Sequence, residues 1–73
     1  MIRASQRFTK GQRVELAHRV HTQGIEARGR TATVTGFARN DRFVVLVRHD
    51  GETVTRRYHM NYWQAIPTQE HSA

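Results

Sequence analysis

Apolar and polar positions alternate through most of the chain. Residues 30–38 (RTATVTGFA) and 43–49 (FVVLVRH) are rich in β-branched residues at period two, which predicts two half-buried strands. The RNDR segment, 39–42, reads as the turn between them. Gly36 interrupts the first strand and predicts a bend or bulge there. Asp50-Gly51 then predicts a tight hairpin with a type I′ turn, which needs positive φ at both central residues. Residues 53–58 return as the next strand. Upstream, Lys10-Gly11 is a turn and residues 13–17 (RVELA) a short strand. Downstream, residues 59–62 predict one helical turn and 63–66 a last strand, ended by Pro67. Residues 18–28 (HRVHTQGIEAR) have no clean period and read as a long loop or irregular hairpin, punctuated by Gly24 and Gly29. The 3.6-residue period is absent from the middle of the chain. The expected fold is therefore all-β: a small five-stranded barrel over residues 10–66, with a helical turn before the last strand. Residues 1–9 are expected to form a flexible arm, and 67–73 a disordered tail.

Centring the hairpin on Asp50-Gly51 places Val47 opposite Val54, Val45 opposite Arg56 and Phe43 opposite Tyr58. The turn at 39–42 places Val34 opposite Val47 and Phe37 opposite Val44. One face then collects Val34, Val45, Val47 and Val54 as the core, completed by Val14, Tyr58, Trp63 and Ile66. The other face carries Phe37, Val44 and Leu46, more apolar surface than an outer face needs. Either it is an interface, or the 18–28 loop or the N-terminal arm covers it. Arg56 and Arg57 are consecutive on a strand and must point to opposite faces. Arg57 belongs on the outer face and Arg56 at a rim.

Seventy-three residues make one domain, which buries only about 60% of its unfolded surface. There is no cysteine, so no disulfide holds it. Charge changes the picture more. Lys plus Arg is 12 against 6 for Asp plus Glu, a formal net charge of +6, and Lys10 is the one lysine among eleven arginines. Guanidinium forks suit phosphates, base edges and aromatic faces, so the balance points to a polyanionic partner, nucleic acid above all. The expected contact residues are Arg28, Arg30, Arg39, Arg42, Arg48 and Arg57. No run approaches the ~18 apolar residues of a membrane span, and MIRASQRFTKGQ has no apolar core of a secretory signal. No membrane partner and a cytoplasmic location are expected.

Catalytic chemistry finds no support in the pattern. Asp41 and Asp50 are explained by turns, and no Ser-His-Asp set or Gly-rich phosphate loop is readable. Of five histidines, His18 and His21 lie three apart, but no cysteine or HExxH pattern joins them. No metal, cofactor or enzyme activity is expected. His49 is expected to cap a strand end against Glu52, and Tyr62-Trp63 to fill the core, with an exposed Tyr62 stacking on a base as the functional alternative.

KGQRVEL followed by RGRTATVTGF resembles the KOW-type strand–loop–strand of bacterial and phage SH3-like barrels. Gly29 stands in the closing segment, and Ala32 replaces the usual second glycine. The resemblance covers residues 10–66 and implies an SH3-like barrel whose relatives bind RNA, DNA, or ribosomal and transcription partners. GQRVEL, GRTATVTGF and YHMNYWQAI are also similar in layout to the plasmid-borne type II dihydrofolate reductase, a tetramer around a central pore. That family's Val-Gln-Ile-Tyr active-site run is Thr55-Arg56-Arg57-Tyr58 here, so only Tyr58 carries over. The functional expectation is a non-catalytic, nucleic-acid-binding barrel. The alternative is a protein-interaction or homo-oligomeric accessory module of a phage or mobile element, using Phe37, Val44 and Leu46. The reductase-like enzyme comes third.

Overall fold

The computed structural model describes residues 2–17 and 23–66. Five strands carry the fold: β1 (Arg13–Leu16), β2 (Thr31–Phe37), β3 (Val44–His49), β4 (Arg56–His59) and β5 (Trp63–Ala65). They form one antiparallel sheet in the order β4-β3-β2-β1-β5. A 3-10 turn, Met60–Tyr62, joins the two edge strands. There His59 Nδ1 accepts the backbone N–H of Asn61, capping the turn at 3.1 Å. The sheet curls so that its edges meet: the Trp63 ring on β5 lies 5.5 Å from Tyr58 on β4 and 5.4 Å from His49 on β3. The expected all-β barrel with a helical turn before the last strand is the observed fold. Among the described residues, no helix is long and apolar enough to cross a membrane.

The interior follows from strand alternation. Val14, Leu16, Ala32, Val34, Val45, Val47 and Trp63 point inward and are buried. Trp63 is fully buried, and its Nε1 has no hydrogen-bond partner among the described residues. An unmade hydrogen bond costs about 1–3 kcal/mol. Burying roughly 200 Å² of indole returns about 5 kcal/mol at 25 cal/mol per Å², so burial wins.

Five features differ from the sequence expectation. The N-terminal segment is docked, not loose. Helix α1 (Ala4–Arg7) buries Ala4, and Phe8 behind it is also in the core. The Ala4 N–H bonds the Arg42 carbonyl at 2.7 Å and so ties the segment to the 39–42 loop. A sheet this small cannot close its own core, and Phe8 supplies the missing apolar surface.

Second, residues 23–28 form a helix, α2 (Gln23–Arg28), where a loop was expected. Ile25 packs inward from it. The helix stops at Gly29, whose φ of +129° suits a helix-ending residue and whose N–H returns to the Glu26 carbonyl. Six residues are too few to display a period, and Gly24 disguised them further. The rest of the expected loop, 18–22, and the expected tail, 67–73, lie outside the described residues.

Third, the β3–β4 hairpin is wider than a two-residue loop. Val47 pairs with Arg56 and Val45 with Tyr58, a shift of two from the expected partners. A shift of two keeps each side chain on its face but expels Val54 from the pairing, and Val54 is 54% exposed. The turn itself stands at Asp50-Gly51, closed by the Glu52 N–H on the His49 carbonyl. Only Gly51 has positive φ, +87°, which is the type II signature and not type I′.

Fourth, the bulge expected at Gly36 is present, between Val34 and Gly36, but it shifts the β2–β3 register, so Phe37 pairs with Val45 instead of Val44. The extra residue turns Phe37 from the outer face towards the core, against which it packs half-buried.

Fifth, His49 does not cap against the Glu52 side chain. It is fully buried, with Nδ1 3.0 Å from the Gly29 carbonyl and Nε2 2.7 Å from the Tyr58 hydroxyl. A carbonyl only accepts, so Nδ1 carries the hydrogen, and in the neutral ring Nε2 accepts from the Tyr58 O–H. This pairs the chain after α2 with β3 and β4 across the core.

Candidate nucleic-acid interface

The six arginines singled out by the sequence fall into two groups. Arg28 ends α2 and Arg30 follows it, and both lie towards the Asp50-Gly51 turn. Arg30 is already paired, its Nη1 2.7 Å from Glu26. Arg28 is exposed, with only a long contact of 3.5 Å to the Gly24 carbonyl. The other four belong to the loop and outer face of β3 and β4. Arg39 and Arg42 bracket the loop between β2 and β3, both exposed. Arg57 projects outward from β4 directly opposite Leu46, and Arg48 follows two residues after Leu46 on the same face of β3. Among the described residues, none of these four has a carboxylate within ion-pair distance. Arg42 instead lies over the Phe43 ring at 5.8 Å, a cation–π contact that leaves its charge available.

Two of these four share a surface depression. Arg39 and Arg57 flank an open groove of about 310 Å³, whose remaining lining is Phe37, Ala38, Asn40 and Leu46. Its lining is mostly apolar and includes two cationic side chains. Beside it, Gly36 stands opposite Leu46 in the bulged register, with Leu46 Cδ1 3.8 Å from where a Cβ would be. Phe37 and Leu46 of the expected apolar patch line this groove. Val44 does not, and it faces His59 across the β3–β4 pair. All three are half-buried, so the patch is a shallow feature and not a bare hydrophobic face. Ala38 and Asn40 were not singled out from the sequence. Their one signal was membership of the loop that the RNDR turn begins.

At the turn end, charge is spent on structure. Arg13 grips Asp50 with both terminal nitrogens at 2.6 Å, and the Thr31 hydroxyl donates to the same carboxylate. The Arg13 bonds, then the Thr31 bond, hold the Asp50 carboxyl well below the usual carboxylate range. The same contact raises the Arg13 guanidinium above its ordinary value. Arg56, the rim arginine, donates to Glu52 through Nε at 3.0 Å and Nη2 at 3.4 Å. That bond lowers Glu52 and raises Arg56. Asp50, which the sequence explained as a turn residue, thus also clamps β1 and β2 to the hairpin.

Other candidates are occupied. The Tyr58 hydroxyl, the position shared with the reductase run, is held by His49. Tyr62 stacks at 6.1 Å on Tyr58 and is 37% exposed, while Trp63 is core. Among the described residues no three His, Asp or Glu side chains converge as metal ligands, and His18 and His21 lie outside those residues. No family model matches the chain, and neither does any curated protein or solved structure.

Proposed function

We propose that this chain is a non-catalytic domain that binds nucleic acid through the outer face of β2, β3 and β4. The observation that carries this reading is the pair Arg39 and Arg57, which line one groove with no carboxylate of the described residues within ion-pair distance of either. Arg42 and Arg48 extend the basic surface on either side. Among the described residues Arg13, Arg30 and Arg56 are ion-paired, and these four are not. The net charge of +6 supplies long-range attraction for a polyanion. The KOW-like, SH3-like resemblance leans the same way by analogy, and a cytoplasmic protein of a phage or other mobile element fits it.

Fluorescence anisotropy with labelled oligonucleotides tests the reading. Four phosphate contacts predict a fall in affinity of roughly 50- to 150-fold between about 50 and 200 mM salt. Affinity that ignores salt, or no binding at low salt, defeats it. The apolar part of the groove lining favours a second reading, a homo-oligomeric or protein-interaction module seated on Phe37 and Leu46. Light scattering on the pure protein separates the two, since the second requires a dimer or larger.

A further inference from the structure

We propose that the groove between Arg39 and Arg57 holds an unpaired nucleobase, so that the ligand class is single-stranded nucleic acid. This rests on the nucleic-acid reading above and adds which form is bound, and where. The reasoning starts from shape. Phosphate contacts need only a convex or flat basic surface. Here the two arginines instead line a concavity of about 310 Å³ together with Phe37, Ala38, Asn40 and Leu46. That volume lies at the lower end of the ~300–1,000 Å³ typical of small-ligand sites.

In a duplex the base faces are stacked and paired, and only edges are offered in the grooves. A concave apolar site finds nothing to take in. A single strand can turn one base out and lay its face on an apolar lining, gaining stacking-type burial without regard to sequence. Asn40, in the same lining, carries both amide donors and a carbonyl acceptor, as needed to meet a base edge. Arg39 and Arg57 then fall where the phosphates flanking a docked base would run. The charge complementarity is one-sided. Asp41, the acid of this loop, is turned to its own backbone, with Oδ1 accepting the Phe43 N–H at 3.0 Å.

The test compares three labelled probes of about ten nucleotides at about 50 mM salt. They are an oligothymidylate, an abasic strand with the same phosphates, and a duplex. The oligothymidylate should bind at least about tenfold more tightly than the abasic strand, and also more tightly than the duplex. Ala38→Phe fills the groove without changing charge. It should erase the advantage over the abasic strand while leaving abasic binding unchanged, with circular dichroism confirming the fold. Asn40→Ala, at an exposed loop position, is the second variant and should reduce the same advantage. Equal affinity for thymidylate and abasic strands, or duplex binding as tight as thymidylate, overturns base docking and leaves the nucleic-acid reading standing. No binding to any probe removes both.

Discussion

The two ends of this barrel use arginine in opposite ways. Around the Asp50-Gly51 turn, Arg13, Arg30 and Arg56 are each matched to a carboxylate, and Asp50 receives Arg13 and Thr31 together. Around the 39–42 loop, Arg39, Arg42 and Arg57 face solvent without a carboxylate partner among the described residues. One residue type thus supplies the ion pairs at one end, where Arg28 and Arg48 stay outside them, and an unsatisfied positive field at the other. A count of charges cannot separate these roles, because net charge is a sum and binding depends on where the uncompensated part lies.

The comparison makes its largest prediction beside the turn end. His49→Leu removes both hydrogen bonds of the buried imidazole and strands the Gly29 carbonyl and Tyr58 hydroxyl. The expected loss is about 3 kcal/mol in urea unfolding. A domain of this size holds only about 4–10 kcal/mol in total. A loss under about 1 kcal/mol would show that the buried histidine does not hold this end together.

Next comes the groove end. Arg39→Glu with Arg57→Glu should weaken oligonucleotide binding about 100-fold and cut the salt dependence. The unfolding free energy should stay within about 0.5 kcal/mol of the parent. Arg13→Gln should do the reverse, changing affinity less than about threefold while destabilising. If both variants affect binding equally, the division between the ends is wrong.

Smaller effects sharpen the picture of the turn. Gly51→Ala meets no neighbour within 4 Å, so its cost is backbone strain alone at φ +87°. About 1 kcal/mol is expected, read by thermal unfolding. Asp50→Asn should cost about 0.5–1 kcal/mol at neutral pH, discounted because both partners of the pair are about half exposed. Its pH dependence has a definite sign. The folded Asp50 carboxyl lies below its ordinary 3.8. Its contribution is therefore present above that pH and is lost as pH falls through the lower folded value. Between those limits the parent should lose stability more steeply than Asp50→Asn, and equal slopes would remove Asp50 from the account.

Much of the fold was legible because strand alternation is local. Val14, Val34, Val45 and Val47 were placed inside from period two alone, and all are buried. A helical turn at 59–62 and a core place for Trp63, as the large aromatic a small barrel needs, were also expected, and both are found. Phe8 was not legible, since nothing near it in sequence announces a distant core in need of cover. Val54 was misplaced because Asp-Gly usually closes a two-residue loop, and here the strands rejoin only at Arg56. Of the six arginines expected on one side, Arg39, Arg42 and Arg57 lie at the 39–42 loop end, while Arg28, Arg30 and Arg48 lie towards the Asp50-Gly51 turn.

By itself the sequence determined the strand count, the faces of the central strands and the excess of arginine. Each of these depends on neighbours a few residues apart or on simple addition. Tertiary structure alone decided which arginines are neutralised, and it alone formed the groove. Arg13 meets Asp50 across 37 residues, and Arg57 on β4 shares one groove with Arg39 and Asn40 from the loop after β2. Those pairings depend on distances in space that no local pattern encodes.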